Sequence, residues 1–371
     1  MINLFQPSVG DDELAAIKDV FSSSWLGPGD RVEQFEQAFG DYIGRPPSEV
    51  LAVSSCTEGL FQTVVALGLG PGDEVILPSI SFIGAAHAVR SSGARVVLCD
   101  VDPATLNPTV EHVERAITRA TRAALIIHYG GAPGALVELS VLAETRSLLL
   151  IEDAALALGS FVSERACGTF GDVGVWSFDS MKVLTTGDGG MVWCKSDATA
   201  DRVRSSVRLG VGSSGFGRRT ASSRWWEMDP PTIGRKGTMN DVAAAMGLVQ
   251  LERLPGFLRR RSEISTRYDE ALVDLPWVRP SKYNPGEAAR MFYWVQTAPE
   301  LRDRLAAHHL ERQIYTSFRY WPLHKTRMYR SNEAFPGADH AAESTLLLPL
   351  HQGLSDSDIE RVLDAIRGFA P

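Results

Sequence analysis

The sequence predicts an α/β fold: a mostly parallel central sheet with helices on both faces, plus a smaller C-terminal α+β domain. Three observations lead there. Short apolar runs alternate with helical patterns from residue 50 to residue 155. Those runs are apolar on both faces, as strands are when helices cover both sides of a parallel sheet. The texture then changes, first to a Gly/Ser/Arg-rich stretch over 205–238 and later to mixed short elements. The expected boundary leaves a large domain over 1–255 and a small domain over 256–371.

The elements follow in order. "GDDELAAIKDVFSSSW" opens on acidic residues and has apolar residues at helical spacing, so it reads as a helix. "VLAVSS" (50–55) is a short buried strand. "CTEGLFQTVVALGL" is a helix closed by the turn "GPGDE". "EVILP" (74–78) is a strand and "FIGAAHAVRSSG" a helix ending on Gly93. "ARVVLCDVD", "AALIIHYG" and "SLLLIEDAA" are strands, separated by the helices "TVEHVERAI" and "LVELSVLAETR". "DVGVWSFD" and "GGMVWCKS" are two more strands, flanking a segment with one lysine, Lys182. "NDVAAAMGLVQLERLPGFLRRRSEISTRYDEAL" reads as two helices interrupted at Pro255.

Bulk properties narrow the function. The 371 residues exceed one ordinary domain, and 44% hydrophobic against 22% charged content permits a sizeable core. A formal net charge of -8 argues against nucleic acid as the main partner, while leaving small anionic ligands open. The opening "MINLFQPSVGDDELAAI" lacks the basic-then-apolar order of a secretory signal. No apolar run approaches the ~20 residues of a membrane span. Cys56, Cys99, Cys167 and Cys194 are far apart and make no metal spacing. The expectation is a cytoplasmic protein with reduced thiols and no metal site.

In open α/β sheets, ligands bind outside the carboxyl ends of the strands. Those ends carry Cys56, Thr57 and Glu58, then Ser79 to Phe82, then Glu152 and Asp153, then Asp179 to Lys182. A hydroxyl at a helix start, an aromatic ring, a carboxylate and a lysine on one rim match the needs of pyridoxal phosphate. A lysine forms an imine with an aldehyde and is displaced by an incoming amine. A carboxylate against the pyridine nitrogen keeps it protonated, so that the ring accepts electrons. A helix N-terminus binds the phosphate dianion. Each residue taken alone also has a structural reading. Lys182 is then a surface charge, Asp153 and Thr57 are helix caps, Phe82 is core, and "GDGG" is a hairpin turn.

The segments "FEQAFGDYIG", "VSSCTEGL", "ALGLGPGDEVILPSISF", "GARVVLCDVDPATLN", "IEDAALALGS", "GDVGVWSFDSMKVLTTGDGGMV", "MNDVAAAMGLVQLERL" and "YWPLH" occur in this order. In them the chain resembles the nucleotide-sugar aminotransferases of the DegT/StrS family, which have the pyridoxal-phosphate transferase fold of type I. The resemblance implies that Lys182 is the Schiff-base lysine and later a proton shuttle. It implies that Asp153 partners the pyridinium, and that Thr57, the backbone of Glu58 and Ser177 hold the phosphate. Phe82 and Ala155 would lie against the two faces of the ring. Family members are dimers in which a residue of the second copy reaches the phosphate; Lys236 in "GRKGTMND" stands at that position. Leu156 stands where glutamine or histidine is usual, Cys56 where glycine is frequent, and Asp179 where histidine is common. Glu58 is expected to point its side chain away from the phosphate.

The implied reaction moves the amine of L-glutamate onto the ketone of a nucleotide-linked deoxysugar, most specifically C4 of a TDP-4-keto-6-deoxyhexose. C3 amination and sugar dehydration are the rivals. Relatives that dehydrate carry histidine in place of the lysine, and Lys182 argues against that. Arg218, Arg219 and Arg224 are candidate diphosphate contacts, or else solvated loop charges. Tyr320 and His324, in the cluster "TSFRYWPLHKTRMY", are candidate sugar contacts, with a structural histidine the other reading of His324. An oxidoreductase is excluded because "VSSCTEG" lacks G-x-G-x-x-G spacing.

Overall fold

The computed structural model describes residues 1–211, 230, 232–281 and 288–371. Helices α1 (Asp11–Ser22) and α2 (Asp30–Ile43) lead into β1 (Val50–Val53), which is buried along its length. Then alternate α3 (Cys56–Ala66), β2 (Glu74–Pro78), α4 (Ile83–Ser91) and β3 (Arg95–Cys99). They continue with α5 (Val110–Ala116), β4 (Thr121–Ile127), α6 (Leu136–Thr145) and β5 (Leu149–Asp153). A short ribbon, β6 (Phe161–Val162) and β7 (Arg165–Ala166), precedes β8 (Val173–Ser177), β9 (Gly190–Cys194) and α7 (Asp197–Ser206). Each expected strand forms, with ends shifted by a few residues; β4 starts two residues earlier, at Thr121, and β5 stops at Asp153.

The central sheet has the order β1-β9-β8-β5-β4-β2-β3. The pairs β2–β3, β2–β4, β4–β5 and β5–β8 are parallel. β9 is antiparallel to both β8 and β1, so β1 points the same way as β8. The carboxyl ends of β1, β2, β4, β5 and β8 therefore lie on one rim, although Val53 and Ser177, which end β1 and β8, are far apart in the chain. Only β9 returns by a short loop, as an antiparallel neighbour can. The Phe178 N–H closes that loop on the Gly189 carbonyl at 2.9 Å, and the loop carries Lys182.

The expected break at Pro255 does not occur. Helix α8 (Asp241–Leu272) runs through it as one 32-residue helix. A proline inside a helix costs about 3 kcal/mol through its missing donor and its clash with the preceding turn. Burial on both sides of Pro255 offsets this. Leu254 and Phe257 join the main core, and Ile264, Tyr268 and Leu272 join a second cluster. Asp241 fastens the helix start to α2, accepting from the N–H of Gly29 at 2.8 Å and of Val32 at 3.1 Å.

The remaining elements are β10 (Arg279–Pro280), β11 (Tyr293–Gln296), α9 (Pro299–Glu311), α10 (Pro336–Ser344), β12 (Thr345–Leu348) and α11 (Asp356–Arg367). The three strands form an antiparallel sheet of order β10-β11-β12. Its Tyr293, Val295, Leu346 and Leu348 pack with the second half of α8 and with α11. Among the described residues, no helix is long and apolar enough to cross a membrane.

Candidate active site

The rim encloses a cavity of about 220 Å³. Ser55, Cys56 and Thr57 line it from the start of α3, and Phe82 from the start of α4. Asp153 and Ala155 reach it from the end of β5, and Ser177, Asp179, Met181, Lys182 and Asp188 from the end of β8 and the loop beyond. Phe5, Phe292, Arg319 and Tyr320 close it from the other side. Of the residues expected from the sequence, Thr57, Phe82, Asp153, Ala155, Ser177, Lys182 and Tyr320 share this cavity.

Ser55 caps α3, its hydroxyl accepting from the Glu58 N–H at 3.0 Å. This corrects the reading of Glu58 as a phosphate donor. Its N–H is already taken, and its carboxylate turns away to Gln62 at 2.7 Å and Arg235 at 3.4 Å. Anion donation from this helix start falls instead to Cys56 and Thr57, whose N–H groups precede any intrahelical partner. Glycine at 190 is required here, because a Cβ would come within 2.6 Å of the Cys56 nitrogen. Thr57 from α3 and Ser177 from β8 line the same cavity.

Asp153 is 1% exposed, and among the described residues its carboxylate accepts one hydrogen bond, from the Ala155 N–H to Oδ1 at 3.1 Å. Burial pushes its carboxyl above the usual aspartate range, and Lys182 and His128 pull it partly back. A buried carboxylate with so few donors is a poor native arrangement unless a cationic N–H joins it. Lys182 is shifted the other way. Burial holds its ammonium below the usual lysine range, against the opposing pull of Asp153 and Asp179. An amine that loses its proton more readily is a better nucleophile toward a carbonyl.

Asp179, which replaces the expected histidine, has a local role. Its Oδ1 accepts from the Met181 N–H at 2.9 Å, and its carbonyl accepts from the Lys182 N–H at 2.9 Å. Together they fold the turn that presents the lysine. Phe82 and Tyr320 face each other with ring centroids 5.7 Å apart. Burial raises the Tyr320 hydroxyl well above the ordinary tyrosine range. A side chain at Gly84 would lie 2.7 Å from the Phe82 ring, so glycine there makes room for it.

Other expectations fall elsewhere. His324 lies outside the cavity. Its Nδ1 is 2.6 Å from the Ser79 hydroxyl and its Nε2 is 3.1 Å from Asp339. It also stacks on Phe335, so its ring joins the segment after β2 to α10 instead of lining the cavity. Lys236 is exposed and is not on its own chain's cavity. Leu156 is buried in the main core and brings no polar group. Arg218, Arg219 and Arg224 lie outside the described residues. The sequence reading missed Phe5, Phe292 and Arg319. Arg319 had one visible signal, a cation set inside the aromatic run "FRYW".

The aminotransferase reading agrees with the chain's relatives. The protein is 50% identical over 367 residues to dTDP-4-dehydro-2,3,6-trideoxy-D-glucose 4-aminotransferase of Saccharopolyspora spinosa, covering 98% of this chain and 95% of that one. It superposes on the aminotransferase TlmJ from Streptoalloteichus hindustanus with a TM-score of 0.94 and 49% identity, over 99% and 98% of the two chains. For the sugar aminotransferase CalS13 from Micromonospora echinospora the TM-score is 0.89 at 30% identity, over 100% of both chains. These neighbours share the type I fold of pyridoxal-phosphate-dependent sugar aminotransferases. The DegT/DnrJ/EryC1/StrS aminotransferase family matches residues 7–367, and the chain belongs to that family.

Proposed function

We propose that this enzyme transfers an amine from L-glutamate to C4 of a TDP-linked 4-keto-6-deoxyhexose, with pyridoxal phosphate as cofactor. One observation carries the chemistry: a lysine and a buried, donor-poor carboxylate face a single cavity beside the first residues of α3. The 50% identical relative supports C4 over C3. The presence of Lys182 argues against dehydration.

The residues fit the cofactor. Thr57, Ser177 and the first N–H groups of α3 would hold its phosphate. Asp153 would gain, in the pyridinium N–H, the donor it lacks, and Phe82 and Ala155 would bound the ring. When bound, the group supplies an aldehyde for the amine and a ring that accepts the electron pair released at carbon. Lys182 would bring its amine to that aldehyde, and its Nζ would carry the proton to and from the substrate carbon. Phe292 and Tyr320 would wall the cavity beside that proton. A second copy of the chain would bring Lys236 to the phosphate as a point charge, making the enzyme a homodimer. We take 1–255 and 256–371 as its two domains; the second hydrophobic cluster, drawn mostly from residues 264–369 with Ile2, supports a separate C-terminal core. A cytoplasmic location suits four cysteines that form no disulfide among the described residues.

Running the reaction backwards tests this, with TDP-3-amino and TDP-4-amino sugars and 2-oxoglutarate. The 4-amino sugars should yield glutamate. Turnover of the 3-amino sugars alone would overturn the C4 assignment.

A further inference from the structure

We propose that His324 is a positioning residue: from outside the cavity, its ring sets the gap between Phe82 and Tyr320, two of the cavity's aromatic walls. Only the kinetic arm of the test below rests on the reaction proposed above. Phe82 and Tyr320 line the cavity with ring centroids 5.7 Å apart, yet they stand on separate chain segments. Phe82 follows Ser79, just beyond β2, and Tyr320 precedes His324. The two segments are tied at those residues. The Ser79 hydroxyl lies 2.6 Å from His324 Nδ1, and the Leu323 N–H donates to the Ser79 carbonyl at 2.7 Å. Tyr129 also holds the second segment, donating its hydroxyl to the Arg319 carbonyl, but it does so from beyond the end of β4. Among the described residues, the hydrogen bonds at Ser79 are the ones that join this segment to the strand end carrying Phe82.

The ring itself is fixed on its other sides. Its Nε2 is 3.1 Å from Asp339 Oδ1, and it stacks on buried Phe335 with centroids 4.5 Å apart and planes 19° apart. An ionised carboxylate only accepts, so Nε2 carries the proton, and Nδ1 of the neutral ring accepts from the Ser79 hydroxyl. Asp339 is held in turn by Lys325 Nζ at 2.6 Å. Its helix, α10, starts on Asp100, which accepts from the N–H groups of Gly337 and Ala338, both at 2.8 Å. The ring therefore cannot turn or slide without losing a partner. Ser79 is fully buried, so no water replaces a lost bond, and an unpaired hydroxyl there is costly. An apolar side chain at 324 would keep the segments together by packing. It would not keep their spacing, because a hydrogen bond is short and directional and packing is not.

The test compares folded holoenzymes below their melting temperatures. His324→Leu should lower kcat/KM roughly 10- to 100-fold for a TDP-4-amino sugar with 2-oxoglutarate, the cost of a misplaced cavity wall. Ser79→Ala should lose about as much, and it carries the same comparison if His324→Leu does not fold. The double variant should be no worse than either single one, as for two residues that act through one bond. His324→Asn, whose side-chain carbonyl can take the place of Nδ1, should recover part of the loss. Visible circular dichroism of the bound cofactor, which responds to the rings around it, should change in the same order without turnover. Wild-type kcat/KM and dichroism in folded His324→Leu would overturn the proposal and leave the histidine a packing residue. Losses that add in the double variant would overturn it too, because His324 would then not act through Ser79. Wild-type enzyme that turns over no amino sugar would overturn the proposed reaction instead, and the dichroism would still decide the role of His324.

Discussion

Glu152 and Asp153 are neighbours in sequence, equally buried, and opposite in chemical circumstance. Successive residues of β5 point to opposite faces of the sheet. On one face, Glu152 Oε1 accepts from the N–H groups of Phe170 and Gly171, both at 2.6 Å. Its Oε2 accepts from Gly168 at 2.6 Å and lies 2.9 Å from His128 Nε2. On the other face, among the described residues, Asp153 has the single Ala155 N–H. The same functional group at the same depth is structural where donors saturate it, and chemical where they do not. The unfilled donor requirement marks the site.

The largest test of this contrast is Lys182→Ala. Activity should fall about 10⁴-fold, because the variant would lose the proposed nucleophile and proton carrier. The melting temperature should hold within a few degrees, since burial already disfavours that ammonium. Cooperative unfolding at a much lower temperature would make Lys182 structural instead.

Glu152→Gln should do the reverse. An amide NH₂ would face N–H groups that need an acceptor, costing roughly 3 kcal/mol of stability by denaturant unfolding. The folded fraction should keep its turnover. Unchanged stability would mean that the four donors are not what holds that carboxylate.

Asp153→Asn should lower turnover about 100-fold yet leave the cofactor-free protein as stable or more so. The sign follows from linkage. The folded pKa of Asp153 is raised, so its contribution is fully present below the unfolded value of 3.8 and lost as pH rises. The variant's advantage in melting temperature should therefore grow from pH 4 to pH 7. A constant difference would remove the burial argument.

The smallest effect falls on Glu36, which sharpens the comparison because it lies outside the cavity and also has one donor, the Ala52 N–H at 2.8 Å. Burial pushes its carboxyl up to about 7 from 4.5. Its stabilising contribution is therefore lost as pH rises from about 4.5 through about 7. Glu36→Gln keeps the carbonyl acceptor and should raise stability by about 1–2 kcal/mol at pH 8, with little change near pH 4.5. If it does, donor count and not the cavity explains the cost.

The sequence by itself determined the strands, the helix starts and the chemical type of the central pair. Apolar runs such as "EVILP" carry their period locally, and Ser55 caps its helix from three residues away. Lys182 and Asp153 were legible because each sits at the end of such a run. Only the tertiary structure decided what depends on distant packing. It carried α8 through Pro255, because cores on both sides outweigh one lost hydrogen bond. It moved His324 out of the cavity by giving both ring nitrogens partners. It brought Arg319 across to a lysine 137 positions earlier, with Tyr129 holding its backbone. Local pattern encodes backbone period and caps, which act over a few residues. Which charges end up paired depends on surfaces that meet only when the chain closes.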